Sequence, residues 1–164
     1  MNRIGAARLA QRTVLVMALG VPLSLAALGT ASSAPNFCHG EVVTITGTPR
    51  ADVIRGTARD DSIVALGGND VIRGNGGNDE ICAGPGSDRA YGGDGRDKLD
   101  GAGGSDLLVG GAGNDDLLGG AGPDRLFGGI GPDELRGGFG QDSSAGGPGS
   151  DDCTAERLVG CESQ

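Results

Sequence analysis

The stretch that decides the fold is GGDGRDKLD-GAGGSDLLV-GGAGNDDLL, residues 92–118. It consists of three rows of nine residues, each with glycine in columns one and four, Asp in column six and Leu in column eight. Written in the same register, twelve such rows run without gap or insertion from residue 47 to residue 154. A short fixed period is typical of solenoids, in which each repeat packs only on its neighbours.

The columns predict a turn followed by a short strand. Column one is Gly except at Ala65 and Ala83, and column four is Gly in the ten rows from Gly68 to Gly149. We expect these glycines to serve turns that need positive φ or close backbone approach. Columns seven and nine are mainly polar or mixed, which predicts a three-residue strand with only its middle side chain turned inward. Those middle residues, in column eight, are Ile54, Ile63, Ile72, Ile81, Ala90, Leu99, Leu108, Leu117, Leu126 and Leu135.

Column six is Asp in all twelve rows. The rows resemble the nonapeptide G-G-x-G-x-D-x-U-x of the RTX family, the hemolysin-type calcium-binding repeats. The resemblance implies an all-β fold, a right-handed parallel β-roll solenoid of about twelve nonapeptide rows with end caps, in which two rows make one coil. It also implies several Ca²⁺ ions as cofactors, held between glycine turns on the same side by column-six carboxylates and backbone carbonyls.

The predicted metal ligands are the column-six residues of the rows that keep the turn glycine. Pairs two rows apart would allow up to eight sites, and we expect fewer to be occupied. In the first two rows Arg50 and Arg59 replace that glycine, which disfavours the turn and could put a positive charge where an ion would sit, so Asp52 and Asp61 are weak candidates. The predicted ligands are Asp70, Asp79, Asp88, Asp97, Asp106, Asp115, Asp124, Asp133, Asp142 and Asp151.

The physical chemistry of such a stack also favours calcium binding. Each row buries about one aliphatic side chain, which is a thin core for a glycine-rich backbone that loses much conformational entropy on folding. Stacked Asp carboxylates repel one another unless a cation lies between them, and calcium accepts six to eight oxygen ligands in irregular geometry better than magnesium does. We therefore expect a chain that is largely disordered without calcium and folds as a roll with it.

The ends of the repeat are predicted to be caps. In residues 35–46 the register continues with Ile45 in column eight, but Val43 takes the Asp column, so a strand without a calcium turn is expected. Residues 155–164 lose the period and are predicted to form a tail closed by a disulfide. Four cysteines allow three pairings. We favour Cys153 with Cys161, which leaves Cys38 with Cys82; a zinc site is the rival, but there is no C-x-x-C pair and a single His.

Residues 1–34 read as a secretory signal peptide, which predicts a secreted, extracellular protein. A basic segment with Arg3, Arg8 and Arg12 precedes a nearly apolar run over residues 13–28, and residues 30–34 are small. A membrane anchor is the alternative, but a span needs about 20 residues. Cleavage near residue 35 would change the net charge from −9 to −12 by removing three Arg. We therefore expect the mature chain neither to bind nucleic acid nor to insert into a membrane.

The sequence favours a calcium-binding protein over an enzyme. There is no H-E-x-x-H, no G-x-S-x-G and only one His in the chain. We expect a secreted monomer with a structural or interaction role, and a secreted protein or a cell-surface component as its candidate partner. Alternatives are a non-catalytic RTX accessory module of a secreted enzyme or toxin, and a polysaccharide-binding module. Tyr91, Phe127 and Phe139 are too sparse for the exposed aromatic row that such a module commonly presents.

Overall fold

The computed structural model of the chain describes residues 12–14, 37–38, 40–155 and 157–159. These residues form β-strands joined by turns, and no helix occurs among them. Among the described residues there is therefore no helix long and apolar enough to cross a membrane. The strands stack in parallel as a β-solenoid, which confirms the all-β prediction.

Two parallel sheets make up the solenoid, and alternate rows contribute to alternate sheets. Sheet one contains, in spatial order, β1 (Arg12–Val14), β5 (Asp52–Arg55), β7 (Val71–Gly76), β9 (Arg89–Asp94), β11 (Leu107–Ala112), β13 (Arg125–Ile130), β15 (Ser143–Ala145) and β17 (Arg157–Val159). Sheet two contains β4 (Ile45–Thr46), β6 (Ser62–Val64), β8 (Glu80–Cys82), β10 (Lys98–Asp100), β12 (Asp116–Ala121), β14 (Glu134–Phe139) and β16 (Asp152–Thr154). A separate antiparallel pair joins β2 (Phe37–Cys38) to β3 (Glu41–Val42).

One coil is 18 residues long, so two rows make one coil, as the repeat predicts. In sheet two Leu99 lies opposite Ile81 on one side and Leu117 on the other. The same offset recurs in sheet one, where Leu108 lies between Ala90 and Leu126. The twelve rows therefore stack as about six coils.

The core is a double stripe of column-eight side chains between the two sheets. From Ile54 to Leu135 these side chains are at most 1% exposed. Ile45 extends the stripe at its N-terminal end, and Ser144 and Cys153 take the same column in the last rows. Because each row adds one inward side chain, the core has the same narrow width along the whole roll.

The strands are longer than the predicted three residues. β7, β9, β11, β12, β13 and β14 each have six residues and continue into the first three columns of the next row. Gly111, for example, pairs with Gly93 and Gly129. The prediction of a three-residue strand was wrong for these rows, because the column-one glycines have no Cβ and let adjacent coils approach closely enough to extend the ladder.

The ends of the roll carry additional strands. β4 pairs with β6 and sets Ile45 beside Ile63, and β2 lies against β6 and β8. At the other end β17 pairs with β15 at an offset of 14 residues, Ser143 with Arg157, so the 18-residue coil ends there. β1 lies within the predicted signal peptide and pairs with β5. The rest of that segment, His39 and Cys161 lie outside the described residues, so the signal peptide stays a prediction.

Candidate metal centre

The column-six carboxylates form two ladders, one at each edge of the roll where the chain crosses between the sheets. All twelve are buried, with at most 9% of each residue exposed. The first ladder consists of Asp52, Asp70, Asp88, Asp106, Asp124 and Asp142, and the second of Asp61, Asp79, Asp97, Asp115, Asp133 and Asp151. All ten predicted metal ligands therefore lie in these ladders, five on each.

One oxygen of each of the ten predicted ligands is fixed by the neighbouring coil. The Asp97 backbone N–H donates to Asp115 Oδ1 at 2.9 Å, and the Asp70 N–H donates to Asp88 Oδ1 at 2.7 Å. The same bond joins each successive pair along both ladders, from Asp52 to Asp151. Each side chain is thus held in one orientation, and its Oδ2 atom takes no part in this bond.

The second oxygen is unsatisfied in nine of the ten predicted ligands. It is buried and has no hydrogen-bond partner, and the exception in the predicted set is Asp142. Leaving a carboxylate oxygen buried without a donor or a cation is costly. The nine atoms are Oδ2 of Asp70, Asp79, Asp88, Asp97, Asp106, Asp115, Asp124, Asp133 and Asp151.

Column-one glycines leave room beside these oxygens. A Cβ added to Gly92 would lie 2.3 Å from Asp97 Oδ2 and 2.7 Å from the Gly110 carbonyl oxygen. Gly92 has no positive φ, so of the two roles that the sequence predicted for this column the glycine serves close approach and not a special dihedral angle. A carboxylate oxygen and a carbonyl oxygen face the same small space in one coil after another. This donor set fits a hard cation such as Ca²⁺, which takes oxygen ligands.

Positive φ values occur in columns two and four. In one turn Gly93 has φ +123° and Gly95 has φ +131°. The sequence reasoning identified column four but missed column two, although that column is Gly in seven rows. Leu66, Asn75 and Ala102 also adopt positive φ in column two, which side chains disfavour. In these rows the stacked turn therefore imposes positive φ in column two, whether or not the residue is glycine.

In the first two rows a threonine hydroxyl donates to the carboxylate oxygen that has no partner in nine of the later rows. Thr48 donates to Asp52 Oδ2 from its backbone N–H at 2.6 Å and from Oγ1 at 2.7 Å. Thr57 does the same to Asp61 Oδ2, at 2.6 and 2.9 Å. These two carboxylates therefore need no ion. The side chains of Arg50 and Arg59 are exposed, so the arginine charge expected near the ion position lies in solvent instead.

Burial makes the ladders electrostatically unfavourable at neutral pH. Desolvation raises the pKa of Asp79, Asp106 and Asp115 to about 7 and that of Asp70 to about 6. The backbone hydrogen bond to each carboxylate opposes this rise, and the carboxylates one coil away add to it. Burial likewise raises the pKa of the intervening members Asp88, Asp97, Asp124 and Asp133. A bound cation would relieve both desolvation and repulsion.

Side chains alone do not make a metal site in this roll. Within the described ranges no group of three or more His, Cys, Asp or Glu residues lies close enough to hold an ion. Backbone carbonyls would have to complete any coordination shell, as in loops that bind calcium.

The sequence matches the family described as RTX calcium-binding nonapeptide repeat (4 copies). The matched segments are residues 46–81, 83–117 and 118–153, together about two thirds of the chain. No curated protein matches the chain.

Proposed function

This chain belongs to the family of RTX calcium-binding nonapeptide repeats, and from that premise we propose that it is a secreted, non-catalytic protein whose roll forms when calcium binds outside the cell. Calcium binding and a structural role follow from the family and the fold. The observation that carries the proposal is the set of nine buried Oδ2 atoms without partners. Each needs a positive charge before the coil around it is stable.

Coupled folding follows from the balance between core and ladders. Each coil buries only two column-eight side chains, while it also buries two carboxylates. Without a cation the repulsion along each ladder opposes stacking, and the glycine-rich chain is left unfolded. Extracellular calcium modules bind at about 10⁻⁴ to 10⁻³ M. Such an affinity would keep the chain unfolded in the cytosol and let it fold after export.

We also retain the two disulfides as part of the proposal. Neither Cys82 nor Cys153 is a free thiol, and β2, which contains Cys38, lies against the strand that contains Cys82. Pairs Cys38–Cys82 and Cys153–Cys161 would close the two ends of the roll. Peptide mapping of the exported protein under non-reducing conditions tests the pairing, and its N-terminal sequence tests cleavage near residue 35.

The test of calcium-coupled folding uses two neighbouring aspartates. Asp115→Asn keeps the Oδ1 acceptor for the Asp97 N–H but replaces Oδ2 by an amide donor. Asp116→Asn makes the same charge change on the outer surface of β12, where the side chain contacts Arg136 at 3.8 Å. Far-UV circular dichroism during a calcium titration measures folding, and native mass spectrometry counts the bound ions.

At neutral pH we expect the wild-type chain to gain its β signal only with calcium. Asp115→Asn should bind fewer ions and need more calcium to fold, whereas Asp116→Asn should match the wild type. Full β structure in a chelator at neutral pH, or equal ion counts for the two variants, would contradict the proposal.

A further inference from the structure

The two outer faces of the roll carry opposite charges. Columns seven and nine point outward because column eight points into the core. On sheet two, the outward columns from Ser62 to Thr154 contain five acids and two bases. On sheet one, the outward columns from Val53 to Ala145 contain no acid and four arginines. We call Arg55, Arg73, Arg89 and Arg125 the arginine strip.

The arginine strip has no counter-charge of its own. In the part of the chain that the structure describes, the ion pairs are Lys98–Glu80, Arg136–Asp116 and Arg136–Glu134, all on sheet two. The strip is therefore an uncompensated positive surface on a protein with a net charge of −9. An anionic partner would complement it, while the acidic outer face of sheet two would repel that partner.

Aromatic rings orient two of the four guanidinium groups. The Arg73 guanidinium lies 5.3 Å from the centroid of the Tyr91 ring, and that of Arg125 lies 5.8 Å from the centroid of Phe127. A guanidinium stacked on a ring keeps its N–H edge available for a carboxylate or a sulfate, which it can bind in a bidentate way. The rings thus act as supports for the arginines and not as a platform of their own.

The dimensions of the strip fit a single extended chain. Its arginines lie on β5, β7, β9 and β13, and the intervening β11 carries Leu107 and Val109 in the outward columns instead. Neighbouring coils are about 4.8 Å apart, so Arg55 and Arg125 are separated by about 19 Å along the axis. Across the strip, columns seven and nine are about 7 Å apart. One coil is close to the length of one pyranose residue, whereas a nucleic acid duplex is wider than the strip.

We propose that the outer face of sheet one binds an acidic polysaccharide, whose carboxylate or sulfate groups pair with the arginine strip along the axis of the roll. The proposal rests on the proposed function, because the strip exists only when the coils are stacked. A second copy of the chain is a poorer occupant, since its acidic face already pairs Glu80, Asp116 and Glu134 with its own bases.

The experiment measures binding of the calcium-loaded chain to fluorescent dextran sulfate, with uncharged dextran, single-stranded DNA and poly-glutamate as comparisons. In the test variant Arg55, Arg73 and Arg125 are replaced by Gln. The control variant replaces three exposed arginines in turns, Arg50, Arg59 and Arg96, by Gln as well, and so makes the same change of net charge. Circular dichroism and ion counting establish that each variant folds and binds calcium.

We expect wild type to bind dextran sulfate and not dextran, and the test variant to bind more weakly by on the order of tenfold or more, with a change of less than about threefold in the control. Replacing Arg73 and Arg125 by Lys, which keeps the charge and loses the planar fork, should weaken binding to an intermediate degree.

Several results would overturn the assignment. Equal losses in test and control variants would mean that net charge alone acts, and tighter binding of DNA or poly-glutamate would mean a different partner class. Assembly of the chain in sedimentation analysis, with no polysaccharide binding, would assign the face to a second copy. If the chain folds in calcium but does not bind dextran sulfate, only the binding role of the arginine strip is contradicted. If the chain fails to fold in calcium, the proposed function is contradicted as well.

Discussion

Replacing Thr57 by Val tests whether a hydroxyl group performs the role of an ion in the first coil. Thr57 donates to Asp61 Oδ2 from Oγ1 at 2.9 Å and from its backbone N–H at 2.6 Å. Valine keeps the β-branched shape and the backbone N–H. It removes the hydroxyl, which donates to Asp61 Oδ2 and also accepts from the Arg59 backbone N–H at 3.1 Å in an exposed turn. Asp61 is 9% exposed, so water cannot readily replace the lost bond.

The expected loss of stability is about 1.5 to 3 kcal/mol, the usual contribution of a hydrogen bond to a charged group. An ion should not compensate for the loss, because the row has Arg59 in place of the turn glycine and neither Thr57 nor Arg59 adopts positive φ. The loss is smaller than the total stability of a typical domain, about 5 to 15 kcal/mol, so the variant should still fold.

Urea denaturation at saturating calcium measures the loss, and native mass spectrometry measures the ion count. Thr46→Val is the matched control, since Thr46 is exposed in β4, and it should change stability by less than about 0.5 kcal/mol. A loss below about 0.5 kcal/mol for Thr57→Val would refute the reasoning about the hydroxyl. A decrease in the number of bound ions would show instead that the row binds calcium.

Three further outcomes follow from the same geometry. Changing Thr57 and Arg59 together to Gly produces the motif GGAGDD, and native mass spectrometry should then detect one additional calcium ion per chain. Gly110→Ala should lose a bound ion, because its Cβ would lie 2.3 Å from Asp115 Oδ2, whereas Gly103→Ala should bind as wild type because its nearest neighbour would be 3.8 Å away. In metal-free buffer the β signal in circular dichroism should grow as the pH falls from about 7 to about 4. Burial raises the pKa of Asp115 in the folded roll to about 7, while the same carboxyl in the unfolded chain has a pKa of about 4. Protonation therefore stabilises the roll at low pH, and this stabilisation is lost as the pH rises through about 7. A flat pH response would contradict that assignment.

The period alone predicted most of the fold. In a solenoid each row contacts only its neighbours, so the register of Asp97 or Leu99 in one row applies to every other row. Strand length could not be read in the same way, because Gly110 and Gly111 look like turn residues although their backbone continues the ladder of β11. The role of Thr57 was also hidden, since it depends on Asp61 Oδ2 turning back toward column two of its own row.

We expect the two ladders to differ as calcium sites, because they differ in column one. In the second ladder every row has glycine there, and an added Cβ would stand 2.1 Å from Asp79 Oδ2 at Gly74, the tightest case. In the first ladder Ala65 and Ala83 put a methyl group at that position in the rows of Asp70 and Asp88. A methyl group fills the space that a cation would share with the carboxylate and the carbonyl oxygen. The Asp column is complete in all twelve rows and so cannot distinguish these sites. We therefore expect Asp70 and Asp88 to bind calcium more weakly than the second ladder does, although their Oδ2 atoms are also buried without a partner.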